Sequence, residues 1–199
     1  MTLAILLAMA GQALAAIPPA AERYRAALLS TAEDVFGRGA PTATWAAQIA
    51  QESAWRADAL SIRGAQGIAQ FMPATARAMA TAYPELRPPQ PWDPIWSLRA
   101  HALLTRENDR RYRPGRTECS AGMFGLAAYN GGPTALDREI SLCRAAGTAC
   151  DPYRWFFHVD GHRSRSAAAY AENRDYVLRV YQRSAEYVAA GWGRALCRP

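Results

Sequence analysis

Apolar positions along this chain recur at intervals of three and four, and no stretch alternates in the manner of a strand. Tyr24, Leu28 and Val35 predict a helix from Ala20 to Phe36, stopped by Gly37 and Gly39. A second helix is predicted from Pro41 or Thr42 to about Ala54, with Thr42 or Thr44 as its N-cap. Pro73 and Thr75 open a third, which Pro84 ends. The fourth runs from Ile95 to about Arg111, with Ile95, Leu98, Ala102 and Leu103 on its inner side and arginines opposite. Met123 to Tyr129 form a short apolar helix that Asn130-Gly131-Gly132-Pro133 terminates, and another helix reaches from Thr134 to about Ala146. The last spans Ala167 to Ala189, with Tyr170, Val177, Tyr181 and Val188 on one stripe.

Three stretches break this rhythm. Residues 55–70 hold Gly64 and Gly67 and read as a structured loop with a short helix near its end; any hairpin belongs there. The Pro-rich connector Arg87–Pro94 is expected to be anchored by Trp92. Residues 147–166 form the longest irregular segment and carry Tyr153, Trp155, Phe156 and Phe157. They read either as a cover for the core or as a groove wall whose rings stack on sugars. The length of 199 residues and the 50% hydrophobic content suit one mostly α domain with a real core.

One charged position violates the pattern. Glu52 follows Trp45 and Ile49 at i+7 and i+3, on the face that should point inward. A carboxylate there has to be partnered or neutral. Apolar surroundings raise a carboxyl pKa, and a carboxyl protonated near neutrality is what a general acid requires. The ordinary alternative is a solvated helix glutamate.

Charge and termini narrow the setting. All 23 basic residues are Arg, for a net charge of +6. Such a surface suits nucleic acid, anionic lipid or an acidic polymer such as a cell wall. The arginines are spread along the chain, so a nucleic-acid partner is not expected. Residues 1–16 form an apolar run closing in Ala13-Leu14-Ala15, as in a secretory signal, although no charged residue precedes it. That run is too short for a comfortable membrane span, and no other segment is a candidate. Four cysteines suit an exported chain with two disulfides, and three pairings exist. Cys143–Cys150 would close a short loop and leave Cys119 for Cys197. No CxxC occurs, and His101, His158 and His162 show no ligand spacing with the cysteines, so neither metal nor other cofactor is expected.

Three blocks carry a family resemblance. The first joins Glu52-Ser53, Ala59-Leu60-Ser61, Gly64 to Gln70 and Met72 to Ala76; the second is Ala128 to Pro133; the third is Glu172 to Val177. In order and spacing the chain resembles the soluble lytic transglycosylases, which have a goose-type lysozyme-like fold. Ala69 departs from the usual Met, and Ser97, in the loosely fitting block at Asp93-Pro94, from a common Asn. Both departures are expected to bear on groove shape more than on the acid.

The resemblance implies a single helical domain with a substrate groove over residues 41–199; ahead of it the chain's own pattern predicts a helix at 17–40 packed on the domain and a signal peptide at 1–16. It implies cleavage of the β-1,4 bond between N-acetylmuramic acid and N-acetylglucosamine, leaving 1,6-anhydromuramyl ends. Glu52 aligns with the family's single acid/base, while Gln70, Tyr129 and Asn130 align with glycan-binding positions. Ser61, Glu172 and Tyr176 align with supporting positions. Most glycosidases need two carboxylates. Asp58 and Asp93 are the only nearby candidates for a second one and neither is well placed by sequence. One acid suffices if the substrate's acetamido group and 6-hydroxyl supply the rest. A goose-type lysozyme using water and a non-catalytic cationic wall-binding protein are the alternatives. The partner is the peptidoglycan strand, in the periplasm or outside the cell; wall remodelling, an envelope-spanning secretion or conjugation apparatus, and phage entry or release all fit.

Overall fold

The computed structural model describes residues 17–197. The expected signal peptide, residues 1–16, lies outside them. Seven α-helices are present in the described residues: α1 (Pro19–Phe36), α2 (Thr42–Ser53), α3 (Pro73–Ala82), α4 (Pro94–Tyr112), α5 (Glu118–Gly131), α6 (Pro133–Ala145) and α7 (Ala167–Ala189). Three short 3₁₀ turns connect them, and among the described residues the only β pairing is a pair of isolated bridges, Leu60 with Gln66 and Gln66 with Phe71. The fold is all-helical and lysozyme-like. No helix among the described residues is long and apolar enough to cross a membrane.

Helix α2 runs through the middle. Its alanine-rich sequence lets neighbours approach closely, and every residue from Thr42 to Ala50 is buried. It packs chiefly on α7, while α4 is sandwiched between α1 and α5. Neither Thr42 nor Thr44 caps α2. Both hydroxyls are taken by the C-terminal tail: Thr42 Oγ1 donates to the Trp192 carbonyl at 2.5 Å, and Thr44 Oγ1 accepts from Leu196 N at 3.0 Å. The tail also supplies the carbonyl of Arg194 to Ala43 N, so a buried helix start is satisfied by chain far away in sequence. Gly193 permits this approach, because a Cβ there would lie 2.2 Å from Thr42 Oγ1. A disulfide, Cys119–Cys197, fastens the tail to α5, and Cys143–Cys150 closes the loop after α6.

Several local expectations change. No helix forms near residue 70, because the tight bridges at Gln66 consume the backbone groups a helical turn would use. Trp92 is exposed; the connector is held instead by Arg87, which donates to the carbonyls of Ala80 and Thr81, and by Ser97 Oγ on the Pro91 carbonyl at 2.7 Å. Ile95 and Val188 also face solvent. The segment 147–166 covers the core: Trp155 is buried against Phe124, and Arg174 lies over its ring.

Candidate active site

The chain leaves α2 abruptly after Glu52. Ala54 and Trp55 both adopt positive φ, of 51° and 66°, which residues with side chains rarely do. The turn is held because Trp55 is buried and its Nε1 donates to Tyr187 Oη at 2.7 Å. Ser53 Oγ donates to the Ile68 carbonyl at 2.7 Å, drawing the following loop back across the helix end. Gly67 lets that loop meet the connector; a Cβ there would sit 1.8 Å from the Pro91 carbonyl oxygen. A groove of about 520 Å³ results, with Glu52 facing into it.

Among the described residues no cation pairs with the Glu52 carboxyl. Its one hydrogen-bond partner in the described residues is Tyr176, which donates to Oε1 at 2.5 Å from α7. Burial pushes the Glu52 pKa up to about 8; the Tyr176 hydrogen bond pulls the other way and is outweighed. The residue keeps partial contact with the groove while its carboxyl is largely stripped of water. Behind it, Gln48 lies one helical turn earlier and meets His101 Nε2 at 2.9 Å. Burial lowers the His101 pKa to about 3, so that ring is neutral and adds no positive charge near Glu52.

The residues expected to bind or support substrate gather here. Ser61, Gln70, Tyr129, Asn130 and Glu172 line the groove with Glu52, and Tyr176 reaches the carboxyl from behind. Ser61 Oγ accepts from Ala65 N at 2.9 Å and so shapes the loop. Gln70, at φ 50°, donates from Nε2 to the carbonyls of Ala59 and Gly67, leaving its Oε1 for the groove. Tyr129 donates to the Ala69 carbonyl at 2.8 Å, not to Glu52. Its pKa is raised well above 10 by burial and then by Glu52, so the hydroxyl keeps its proton. Glu172 is the second carboxylate in the groove and pairs with Arg63 at 3.1 Å. Asp58 and Asp93 lie outside the groove; Asp93 caps α4, accepting from Ile95 N and Trp96 N.

Other expectations do not reach the site. None of Tyr153, Trp155, Phe156 or Phe157 lines the groove. Ala69 and Ser97, expected to affect groove shape, are fully buried and act at most through their neighbours. Sequence reasoning missed Arg63, Ile62 and Leu104 in the lining. Ile62 and Arg63 fall in the gap between the Ser61 and Gly64 pieces of the first motif block, and that adjacency was their only signal. A more enclosed cavity of about 230 Å³ lies behind α2 against Trp45 and Gln48. Its two acids, Asp109 and Glu118, are each paired with an arginine, so it offers no free proton donor. His162 lies with Cys143 and Cys150 in a cluster compact enough for a metal, a proximity the sequence spacing did not reveal. The two sulfurs are bonded to each other and offer no thiolates.

The family model described as the Transglycosylase SLT domain matches residues 37–149, more than half of the chain. The chain belongs to that family. The match includes Glu52, Ser61, Gln70, Tyr129 and Asn130 and stops before the α7 residues. Among solved structures, the fold is similar to the X-ray structure of the lytic transglycosylase Slt of Pseudomonas aeruginosa, an inactive Glu-to-Gln mutant. That similarity has a TM-score of 0.60 at 22% identity and covers 88% of this chain. It covers 25% of the Slt chain, so this chain spans about a quarter of that relative. No curated protein matches the chain in sequence.

Proposed function

We propose that this protein is a peptidoglycan lytic transglycosylase acting outside the cytoplasm, with Glu52 as its single acid and base. The observation that carries the proposal is a groove-facing carboxyl with no cation beside it, kept protonated to about pH 8 by burial. In the first step Glu52 gives its proton to the glycosidic oxygen as the bond to C1 of the muramic residue breaks. The muramic acetamido oxygen stabilises the developing positive centre. Glu52, now a carboxylate, takes the proton of the 6-hydroxyl while that oxygen attacks C1. The 1,6-anhydro ring forms and Glu52 ends protonated, with no water consumed. Intramolecular attack has a large effective-molarity advantage over attack by solvent.

The neighbours have roles consistent with this. Tyr176 orients the carboxyl, and its own pKa is raised well above 10 by burial and by Glu52, so it remains a donor. Gln70 and Asn130 hold glycan polar groups, Tyr129 fixes the loop at Ala69, and Ser61 shapes the rim. A hydrolytic reading would use Glu172 to hold water. Glu172 lies at the exposed rim with its Oε2 paired to Arg63, whereas Glu52 is the acid held protonated by burial, and the anhydro route needs only that one acid. Residues 41–199 form the catalytic unit in this proposal, with α1 as a supporting helix. Mass spectrometry of muropeptides released from purified sacculi tests the reaction. Anhydromuramyl ends are expected; reducing muramic ends alone would replace the reading with hydrolysis.

A further inference from the structure

Behind the groove wall opposite Glu52 lies a second buried acid with no part in the proton transfers. Glu139 of α6 is fully buried and meets two guanidinium groups. Arg165 donates to its two oxygens at 2.8 and 3.1 Å, and Arg174 donates to Oε2 at 2.8 Å. Arg174 then reaches forward: its Nη1 donates at 2.7 Å to Oδ1 of Asn173, itself fully buried. Asn173 Nδ2 donates to the Ala127 carbonyl at 3.0 Å and to Oδ1 of Asn130 at 2.9 Å.

The orientation of these amides follows from chemistry. A guanidinium only donates and a carbonyl only accepts. Asn173 must therefore turn its oxygen to Arg174 and its nitrogen to Ala127. That nitrogen is the group facing Asn130, so Asn130 must answer with its oxygen. The Asn130 nitrogen is left without a protein acceptor among the described residues, on a side chain that lines the groove. The packing is close enough to hold this arrangement. A Cβ on Gly131 would lie 1.9 Å from Arg165 Nη1 and 2.7 Å from Asn173 Nδ2. Gly131 is thus required for space, whereas Gly132 is required for its φ of 80°.

We infer that Asn173, held by Arg174 and Glu139, is a positioning residue that fixes Asn130 as an outward hydrogen-bond donor and makes the groove selective for a sugar carrying an acetamido carbonyl. This rests on the glycan reading above. Gln70 presents an oxygen and Asn130 a nitrogen, so the two can engage the N–H and the C=O of acetamido groups. A sugar with a 2-hydroxyl in place of the acetamido group has no carbonyl to offer.

Two measurements test it. In the unmodified protein, hydrogen exchange of side-chain amides by NMR should show protected Asn173 protons and rapidly exchanging Asn130 protons. The reverse pattern would overturn the inference whatever the substrate. Binding is then compared for two neutral β-1,4 tetrasaccharides, one of N-acetylglucosamine and one of glucose. Glu52→Gln protein should prefer the acetylated one by about 10-fold, as one hydrogen bond with its unpaired alternative suggests. Adding Asn173→Asp, which forces Asn130 to turn its nitrogen inward, should reduce that preference to about 2-fold or less. Asn173→Leu, which releases Asn130, should do so less completely. An unchanged preference in a folded variant would refute the role of Asn173. Absence of binding to either sugar, with the exchange pattern as expected, would count against the glycan reading and leave the amide orientation standing.

Discussion

Two glutamates in this protein are drawn into its interior, and they are treated in opposite ways. Glu139 meets two guanidinium groups, so its charge is matched inside the protein. Glu52 meets a tyrosine hydroxyl and no cation, so burial is answered by keeping the proton, with the pKa at about 8. Both lie on helix faces rich in apolar residues, and the difference in burial, complete at Glu139 and partial at Glu52, does not by itself say which one keeps its proton. The separating feature is the partner. A buried acid given cations is structural, because breaking the pair leaves an uncompensated charge. A buried acid denied them and opened to a groove is poised to exchange a proton.

The largest expected effect follows from removing the reactive acid. Glu52→Gln keeps the shape and the Tyr176 contact but has no proton to give. Release of muropeptides should fall by about 10³-fold or more, in the upper part of the range for general acid–base groups. The protein should still bind glycan strands in a pull-down with sacculi. Retained lysis would place the chemistry elsewhere and end the comparison.

The mirror experiment is Glu139→Gln. It should cost about 3 kcal/mol or more in urea unfolding, because Arg165 and Arg174 lose their counter-charge inside the protein. A stability change below 0.5 kcal/mol, an effect typical of surface positions, would show that Glu139 is not the structural member of the pair.

The contrast also marks what the sequence can and cannot disclose. Helical periodicity placed Glu52 correctly between apolar neighbours, and the same count would have flagged Glu139, three residues after Leu136 and one before Ile140. It reports a face and is silent about what comes to meet it. The partners of Glu139 come from beyond residue 160, and the partner of Glu52 is 124 residues away. Motif blocks supplied Ser61, Gln70, Tyr129, Asn130 and Glu172, which do share the groove. They also contained Asn173 and Arg174, whose role depends on α6 and was invisible in their own block. Local rules failed where distant chain intervened: Thr42 and Thr44 look like caps but serve the C-terminal tail. Trp92 looks like the connector's anchor and Ile95 like an inward helix position, yet both are exposed, and Arg87 and Ser97 make the connector's hydrogen bonds.

A smaller change probes the hydroxyl that moderates Glu52. The Tyr176 hydrogen bond favours the carboxylate and so lowers the Glu52 pKa against the effect of burial. In Tyr176→Phe that opposition is gone and the pKa rises further. The wild-type enzyme should lose activity as pH rises through about 8, where the acid becomes deprotonated. In the variant this alkaline limb should move to higher pH, while the rate at pH 6 falls about 10-fold because the carboxyl is no longer oriented. A limb that moves to lower pH would mean that the hydroxyl stabilises the protonated form instead.

The finest test reads the same proton through stability. The unfolded chain releases the Glu52 proton near 4.5, whereas the folded protein keeps it to about 8. Between these values the folded state binds more protons than the unfolded one, so this group makes stability fall as pH rises. Below the window both states are protonated and the effect vanishes; above it both are ionised and the loss is complete. Glutamine at position 52 does not titrate. Subtracting the Glu52→Gln unfolding curve from the wild-type curve cancels every other titrating group that the substitution leaves alone. The variant should therefore gain on the wild type by about 1 kcal/mol per pH unit across the window, somewhat below the limit of about 1.36 for a fully shifted single proton. Curves that stay parallel from pH 4 to pH 9 would mean that Glu52 titrates as a solvated carboxylate, and the distinction between the two buried acids would be lost.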